Sequence, residues 1–399
     1  MHGSFLYGIT RNWCTCRYIW YNLFMDLSEC REKIDAIDKQ IVALYEERMK
    51  VSEQVADYKL SNGMNVLDKN REKAKIDAVR ELTHSDFNSK GIEELYNHIM
   101  SISRKRQYDI MEERGLYARP SFMPLDSLDT DGARIVYQGT EGAYSEEATV
   151  RYFGEDCDRR HVDTFKDAMS LIDEGLADFA VLPIENSSAG IVSENYDLLN
   201  QFENYIVGTQ VVEIHHCLAG VEGSSLDDIT DVYSHVQAIM QSRDFLDSHR
   251  EITAHSYENT ALAAKKIAKD GLIHQAAICS EHAASIYGLK ILEREINFSS
   301  KNYTLFIIIS NQKVFLKDAK TVSICFEIPD TTGSLYHVLS LFYYNDVNMS
   351  HIESRPIPGH PGEYRFFVDF DGNLTENSVK NALHGLREET VNMKILGNY

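Results

Sequence analysis

Apolar residues in the stretch 31–59 recur at spacings of three and four: Ile34, Ile37, Ile41, Leu44, Val51 and Val55. That period places them on one stripe of a long amphipathic helix. Arg48 fills the slot between Leu44 and Val51, and one step upstream of Ile34 the stripe reaches Arg31. A guanidinium on a core-facing stripe is costly unless an anion pairs with it, so the pattern asks for a buried anion. An arginine that snorkels or pairs with a neighbouring Glu is the ordinary alternative for a single intrusion. Arg31 and Arg48 are seventeen positions apart, roughly 25 Å along a helix axis. One small molecule cannot bridge that distance, so two arginines on one ligand require an antiparallel second copy of the helix. Asp68, Arg71 and Glu72 open a second helical run to Leu82, and a third covers residues 92–111, with Ser103 and Gln107 on one face. Together with Lys59 these side chains suit a small dianion that also carries a hydroxyl.

Residues 113–132 lose this period, gain Pro120 and Pro124, and read as a linker. From Arg134 short β-rich runs (RIVYQG, FAVLPI, YIVGTQVVEI, DVYS, AAICS, LFIIIS) alternate with helical runs, which predicts an α/β domain with a largely buried sheet over residues 133–311. Small polar residues end several strands just before a helix, at 142–145, at 186–190 and at Ser234. Helix N-termini with free N–H groups are ready anion sites. His215, His216 and Cys217 alternate faces on a strand, which favours satisfied sheet histidines over a metal site. From about Lys320 to residue 397 six runs read β-α-β-β-α-β, a ferredoxin-like order.

At 399 residues the chain is long for one core, and two or three domains are expected. A net charge of -21 argues against nucleic acid and anionic membrane surfaces as partners. It also means that cations gathered at one place are there for a ligand. Seven scattered cysteines give neither a disulfide framework nor paired zinc spacing, and point to a reducing cytoplasm. No GxGxxG follows a strand, and no spacing implies a metal, nucleotide or redox cofactor. No run approaches the apolar length of a membrane span. Residues 1–24, which hold both tryptophans, Trp13 and Trp20, differ in character from the helical stretch after them; they read as an extension upstream of a start at Met25.

The strings REKIDAID, EER, YK, DKNRE and SRKRQ within residues 25–112 resemble the all-helical chorismate mutase family, a helix-swapped dimer. The resemblance implies that Arg31 of a second copy and Arg48 bind the two carboxylates of chorismate. Lys59 and Gln107 would donate to the ether oxygen, and Asp68, Glu72 and Ser103 would position the ring hydroxyl and side chain. A pericyclic rearrangement needs no nucleophile, only a substrate held in its reactive fold with donors aimed at the oxygen that gains charge.

GTEGAYSEEA, ADFAVLPIENSSAG, SHVQAIMQ, YENTALAA and YTLF resemble prephenate dehydratase, whose fold is two periplasmic-binding-like α/β lobes with the substrate between them. The resemblance implies a site of Glu185, Asn186, Ser187, Ser234, Gln241, Glu258 and Thr304. Thr304 would donate to the departing hydroxyl, while Glu185 and Glu258 orient neighbouring side chains. Three positions depart from the family pattern: Leu305 stands where Thr-Arg-Phe has its arginine, Val236 replaces the proline of Ser-His-Pro-Gln, and Thr140 that of the opening Gly-Pro turn. If that arginine held a carboxylate, its loss would cost about 1.5 to 3 kcal/mol, unless Lys301 compensates. The alternative is therefore a mutase fused to a weak or silent ligand-sensing module. The last segment resembles a phenylalanine-binding ACT regulatory domain through Gly333, Ser334 and Leu335 and through Glu353, Ser354, Arg355 and Pro356. The expectation for the whole is a multidomain homodimer or higher homo-oligomer, without nucleic acid or membrane partners, that makes prephenate, consumes it and senses L-phenylalanine.

Overall fold

A computed structural model describes residues 26–64, 66–114, 122–297, 302–360 and 362–399. Met25, the tryptophans and Lys301 lie outside them. The chain forms two compact units, residues 1–117 and 118–399. None of the helices among the described residues is long and apolar enough to cross a membrane.

The first unit is all helical: α1 Leu27–Ser61, α2 Lys69–Glu81 and α3 Asp86–Glu113. Asp68 caps α2 by accepting from the Arg71 N–H at 3.0 Å. The stripe expected to face a core is bare within the chain: Ile34, Ile37, Ile41, Leu44, Val51 and Val55 are all exposed, Leu44 by 65%. Instead α3 packs on the side of α1 where Ser52 and Ala56 are buried, because small side chains four apart let a second helix approach closely. Arg48 and Lys59 lie at the margin of this contact.

The second unit opens with β1 Met123–Leu125, in the stretch expected to be linker; it pairs in parallel with Val314–Leu316. There follow β2 Arg134–Gln138, α4 Tyr144–Phe153, β3 Asp158–Val162, α5 Phe165–Asp173, β4 Phe179–Asn186, β5 Gly190–Ile191, α6 Ser193–Gln201 and β6 Tyr205–Glu213. A second lobe holds β7 Cys217–Gly220, β8 Asp231–Ser234, α7 Val236–Gln241, α8 Arg243–Ser248, β9 Thr253–Ser256, α9 Thr260–Asp270, β10 Gln275–Cys279, α10 Glu281–Ile286 and β11 Lys290–Glu293. The chain then returns through β12 Tyr303–Ser310 and β13 Val314–Leu316. It ends in β14 Thr321–Glu327, α11 Ser334–Tyr344, β15 Met349–Pro356, β16 Tyr364–Asp371, α12 Asn377–Glu389 and β17 Val391–Asn398.

The second lobe has its own sheet, in the order β11-β7-β10-β8-β9. The first lobe and the C-terminal segment share one sheet, β15-β16-β14-β17-β6-β12-β4-β2-β3, with β5 on β4. Its first four strands and two helices carry the βαββαβ order expected from the sequence. The seam between the two parts is the pairing of Gly397 with Ile206. A Cβ at Gly397 would lie 2.2 Å from the Ile206 carbonyl oxygen, so only glycine allows this approach. Two crossings join the lobes, at residues 214–216 and before Tyr303, and they are tied by the Ile214 N–H donating to the Asn302 carbonyl at 2.8 Å.

Candidate active sites

In the helical unit a cavity of about 380 Å³ opens between α1, α2 and α3. It brings together Arg48, Lys59, Asp68, Glu72, Ser103 and Gln107, which are the expected site residues apart from Arg31; Arg71, expected only to brace the pocket, lines it too. Arg31 sits exposed near the start of α1 and does not line it. Arg48 Nη1 donates to Ser103 Oγ at 2.7 Å, and Gln107 Nε2 to Ser52 Oγ at 3.3 Å. The Gln107 Oε1 is buried with no hydrogen-bond partner. Lys59 Nζ donates to the Val66 carbonyl, which fixes its stem against the loop before α2. Sequence reasoning missed Arg104, which lines the cavity and pairs with Glu72, and Lys75. Arg104 lies beside Ser103 in the SRKRQ string, and only packing shows that it turns inward. Five cationic side chains against two carboxylates, in a chain of net charge -21, leave this cavity strongly positive.

A second cavity, about 350 Å³, lies between the α/β lobes. Of the expected residues it is lined by Asn186, Gln241, Glu258 and Thr304. Three others are not brought to it. The Ser234 hydroxyl donates to the Ile278 carbonyl at 2.6 Å and ties β8 to β10. Ser187 Oγ accepts from the Tyr303 N–H at 3.0 Å and closes the end of β4 onto β12. Glu185 alternates with Asn186 along β4 and so faces the other side of the sheet. There its charge adds to burial in pushing the Asp369 carboxyl up.

The same alternation revises the expectation for Leu305. Thr304 and Phe306 line the cavity, whereas Leu305 packs on the apolar cluster of Leu182, Ile184 and Tyr196. The side chain at 305 therefore points away from the cavity between the lobes.

No lysine or arginine lines this cavity among the described residues. Three helix N-termini do: α4 through Ala143, Tyr144 and Ser145, α7 through His235 and Gln237, and α9 through Asn259 and Thr260. Asn259 caps α9 by accepting from the Leu262 N–H at 2.7 Å. The α4 terminus is one of the anion sites anticipated from the sequence, and the α9 terminus was missed although the Asn-Thr pair of YENT is a capping signal. Converging N-termini put positive potential where lysine and arginine are absent and Glu258 supplies a carboxylate.

Asn186 is held by its backbone neighbours. Its Oδ1 accepts from the N–H groups of Ser188 at 3.0 Å and Ala189 at 2.9 Å, and from Gln237 Nε2 at 3.1 Å. Its Nδ2 must then be the atom that donates to Thr304 Oγ1, at 2.9 Å. With its oxygen accepting, the buried Thr304 hydroxyl keeps its own proton for the cavity. His216, expected only as a satisfied sheet histidine, also lines the cavity. Its Nε2 is 2.8 Å from Gln241 Oε1 and its Nδ1 3.1 Å from Tyr144 Oη. Burial pushes its pKa down to about 4 against the aid of Gln241, so the ring is neutral near pH 7. His215 is exposed beside Glu213.

In the C-terminal segment a cavity of about 250 Å³ holds Gly333, Ser334 and Leu335. Glu353, Ser354, Arg355 and Pro356 do not line it; they lie on the edge strand β15. Arg355 is engaged elsewhere, 3.0 Å from Asp197 of α6. The two expected effector motifs are thus separate within one chain.

The two enclosed sites have counterparts in two known families. The profile of chorismate mutase type II matches residues 30–108 and that of prephenate dehydratase residues 135–314. The chain belongs to the bifunctional chorismate mutase/prephenate dehydratase family. It is 31% identical over 381 residues to the protein of that name from Escherichia coli (strain K12), covering 92% of this chain and 95% of the relative. Among solved structures it is similar to a prephenate dehydratase from Arthrobacter aurescens in complex with L-Phe, at 30% identity and a TM-score of 0.63, covering 67% of this chain and 89% of that one. A chain described as a novel type of quorum-quenching acylase matches at 29% identity and a TM-score of 0.62, covering 66% and 97%.

Proposed function

We propose that the chain converts chorismate to prephenate in its helical unit and prephenate to phenylpyruvate between its α/β lobes, and that L-phenylalanine restrains the second step through the C-terminal βαββαβ segment, an ACT-type sensor. The observation that carries the reading is the pair of cavities, each suited to an anion by different means. In the helical cavity, Arg48 would hold one carboxylate while Lys59 and Gln107 meet the ether oxygen as its bond breaks. That stabilises charge only where the transition state develops it. A second copy of α1, laid over the bare apolar stripe, would bring Arg31 to the other carboxylate. Between the lobes, helix N-termini would hold the dianion, and Thr304 would donate to the hydroxyl that departs as water while the ring carboxylate leaves as carbon dioxide. Aromatisation drives that step, so a weak donor suffices. In the sensor, the unpaired edge of β15 suits pairing with a second copy, which would carry Arg355 and its neighbours toward the Gly333 cavity of the partner.

Feeding chorismate to the full chain and measuring prephenate and phenylpyruvate over time tests both steps. Prephenate is expected to rise first and phenylpyruvate after it. Arg48→Ala is expected to lower chorismate turnover by about two to three orders of magnitude and to leave added prephenate converted at the normal rate. Phenylpyruvate forming only at the spontaneous rate would reject the dehydratase, and a rate untouched by saturating L-phenylalanine would reject the sensor.

A further inference from the structure

The sequence left His216 without a role, yet it stands on the first crossing between the lobes, 3% exposed, with its ring against a residue of the dehydratase cavity. Resting on the dehydratase reading, we infer that His216 is a positioning residue whose Nε2–H holds the Gln241 amide oxygen, so that the Gln241 NH2 gives one proton to Ser188 and keeps its second for the cavity that Gln241 lines.

One backbone anchor sets the direction of the bonds that run from His216 through Gln241 to Thr304. Because Asn186 Oδ1 accepts from two main-chain N–H groups, it is an acceptor without ambiguity. Ser188 Oγ lies 2.8 Å from that oxygen, so the Ser188 proton goes to Asn186. The Ser188 oxygen is then left to accept, and the Gln241 atom in contact with it must be Nε2. Gln241 Oε1 consequently faces His216, and the imidazole proton must sit on Nε2, at 2.8 Å. His216 Nδ1 is left as an acceptor, and the single phenol proton of Tyr144, which donates to the His215 carbonyl at 2.9 Å, is shared with that nitrogen at 3.1 Å. The line His216, Gln241, Ser188, Asn186, Thr304 thus runs with one polarity, donor to acceptor, and ends at the oxygen of Thr304.

Without His216 only the Ser188 contact opposes turning of the Gln241 amide. Its carbonyl oxygen would then meet a dianionic substrate where an N–H stood. That repulsion acts on the bound substrate as much as on the transition state, so it raises KM rather than lowering kcat.

The experiment uses the full chain with His216→Leu, which keeps bulk but no donor, and His216→Gln, whose Nε2 can donate from a similar place. Turnover of prephenate is measured against concentration, with the folded fraction of the α/β unit counted from the amplitude of its urea unfolding. His216→Leu is expected to raise KM about tenfold or more, the scale of one lost hydrogen bond to a charged group, with kcat within about threefold, and His216→Gln to recover most of the loss. Unchanged KM in the leucine variant, or kcat reduced at wild-type KM, would overturn the assignment and leave His216 a packing residue. Wild-type protein that turns over no prephenate would instead defeat the dehydratase reading. The ¹⁵N resonances of the His216 ring still decide the positioning claim in that case, since a proton found on Nδ1 overturns it and one on Nε2 supports it.

Discussion

At Thr304 a hydroxyl has one proton and two lone pairs, and Asn186 occupies the oxygen from 2.9 Å away. What remains is a donor aimed into the cavity. Thr304→Val keeps the shape and removes that donor, and is expected to cut phenylpyruvate formation from prephenate by about 10²- to 10³-fold with prephenate formation from chorismate unchanged. His216 yields a prediction about stability. Its folded pKa is about 4 against an ordinary 6.5. As pH falls below about 6.5 the unfolded chain takes up a proton that the folded chain refuses until about pH 4. Stability is therefore complete above that window and is lost across it, by up to roughly 3 kcal/mol. Urea unfolding of the α/β unit at pH 7.5 and 4.5 is expected to show a larger loss for the wild type than for His216→Gln; equal losses would assign the acid sensitivity to other groups. Thr304 and Asn186 were legible as a motif. Their bond was not, because it joins residues more than a hundred positions apart.

Among the elements, α6 is gripped from several sides. At its start Asn195 Nδ2 donates to the carbonyl of Pro183, a residue of the dehydratase cavity, at 2.6 Å. At its end Lys394 Nζ donates to the Leu199 and Phe202 carbonyls, a favourable place for a cation. Midway Asp197 meets Arg355 of the proposed effector motif, and Tyr196 stacks on His351 of the same strand. A shift of β15 on effector binding would reach α6 and, through Asn195, β4. Asp197→Asn is accordingly expected to weaken the response of the dehydratase to L-phenylalanine several-fold while its rate without effector stays near wild type, as read from inhibition curves. An unaltered curve would remove α6 from the route. The element boundaries were largely readable from period and capping. The grip on α6 was not, since Arg355 reads in the sequence as a ligand contact and the fold spends it on an ion pair.

For the whole molecule, the bare stripe of α1 is the feature that a single chain cannot account for. Six exposed aliphatic side chains along one helix face are a large apolar surface for water to meet. A second copy covering it is expected, and Ile37→Asp with Ile41→Asp should convert the protein to smaller particles in sedimentation, abolish chorismate turnover and spare prephenate turnover. Particles of unchanged size would place the contact between copies elsewhere. The periodicity of three and four, the alternation of β-rich runs and the capping residues are local properties, and they were enough to define a helical unit, an α/β unit and a βαββαβ ending. They also pointed to a cationic site through Arg48, which lines the helical cavity, whereas Arg31 stands exposed on the stripe that the chain leaves bare. Tertiary structure decided which side of α1 the chain itself covers, that Leu305 faces apolar packing while Thr304 faces the cavity, and that His216 opens a hydrogen-bonded line that reaches Thr304 through Gln241. Those outcomes depend on which distant segments meet and in what register, and neither spacing nor composition along the chain encodes that.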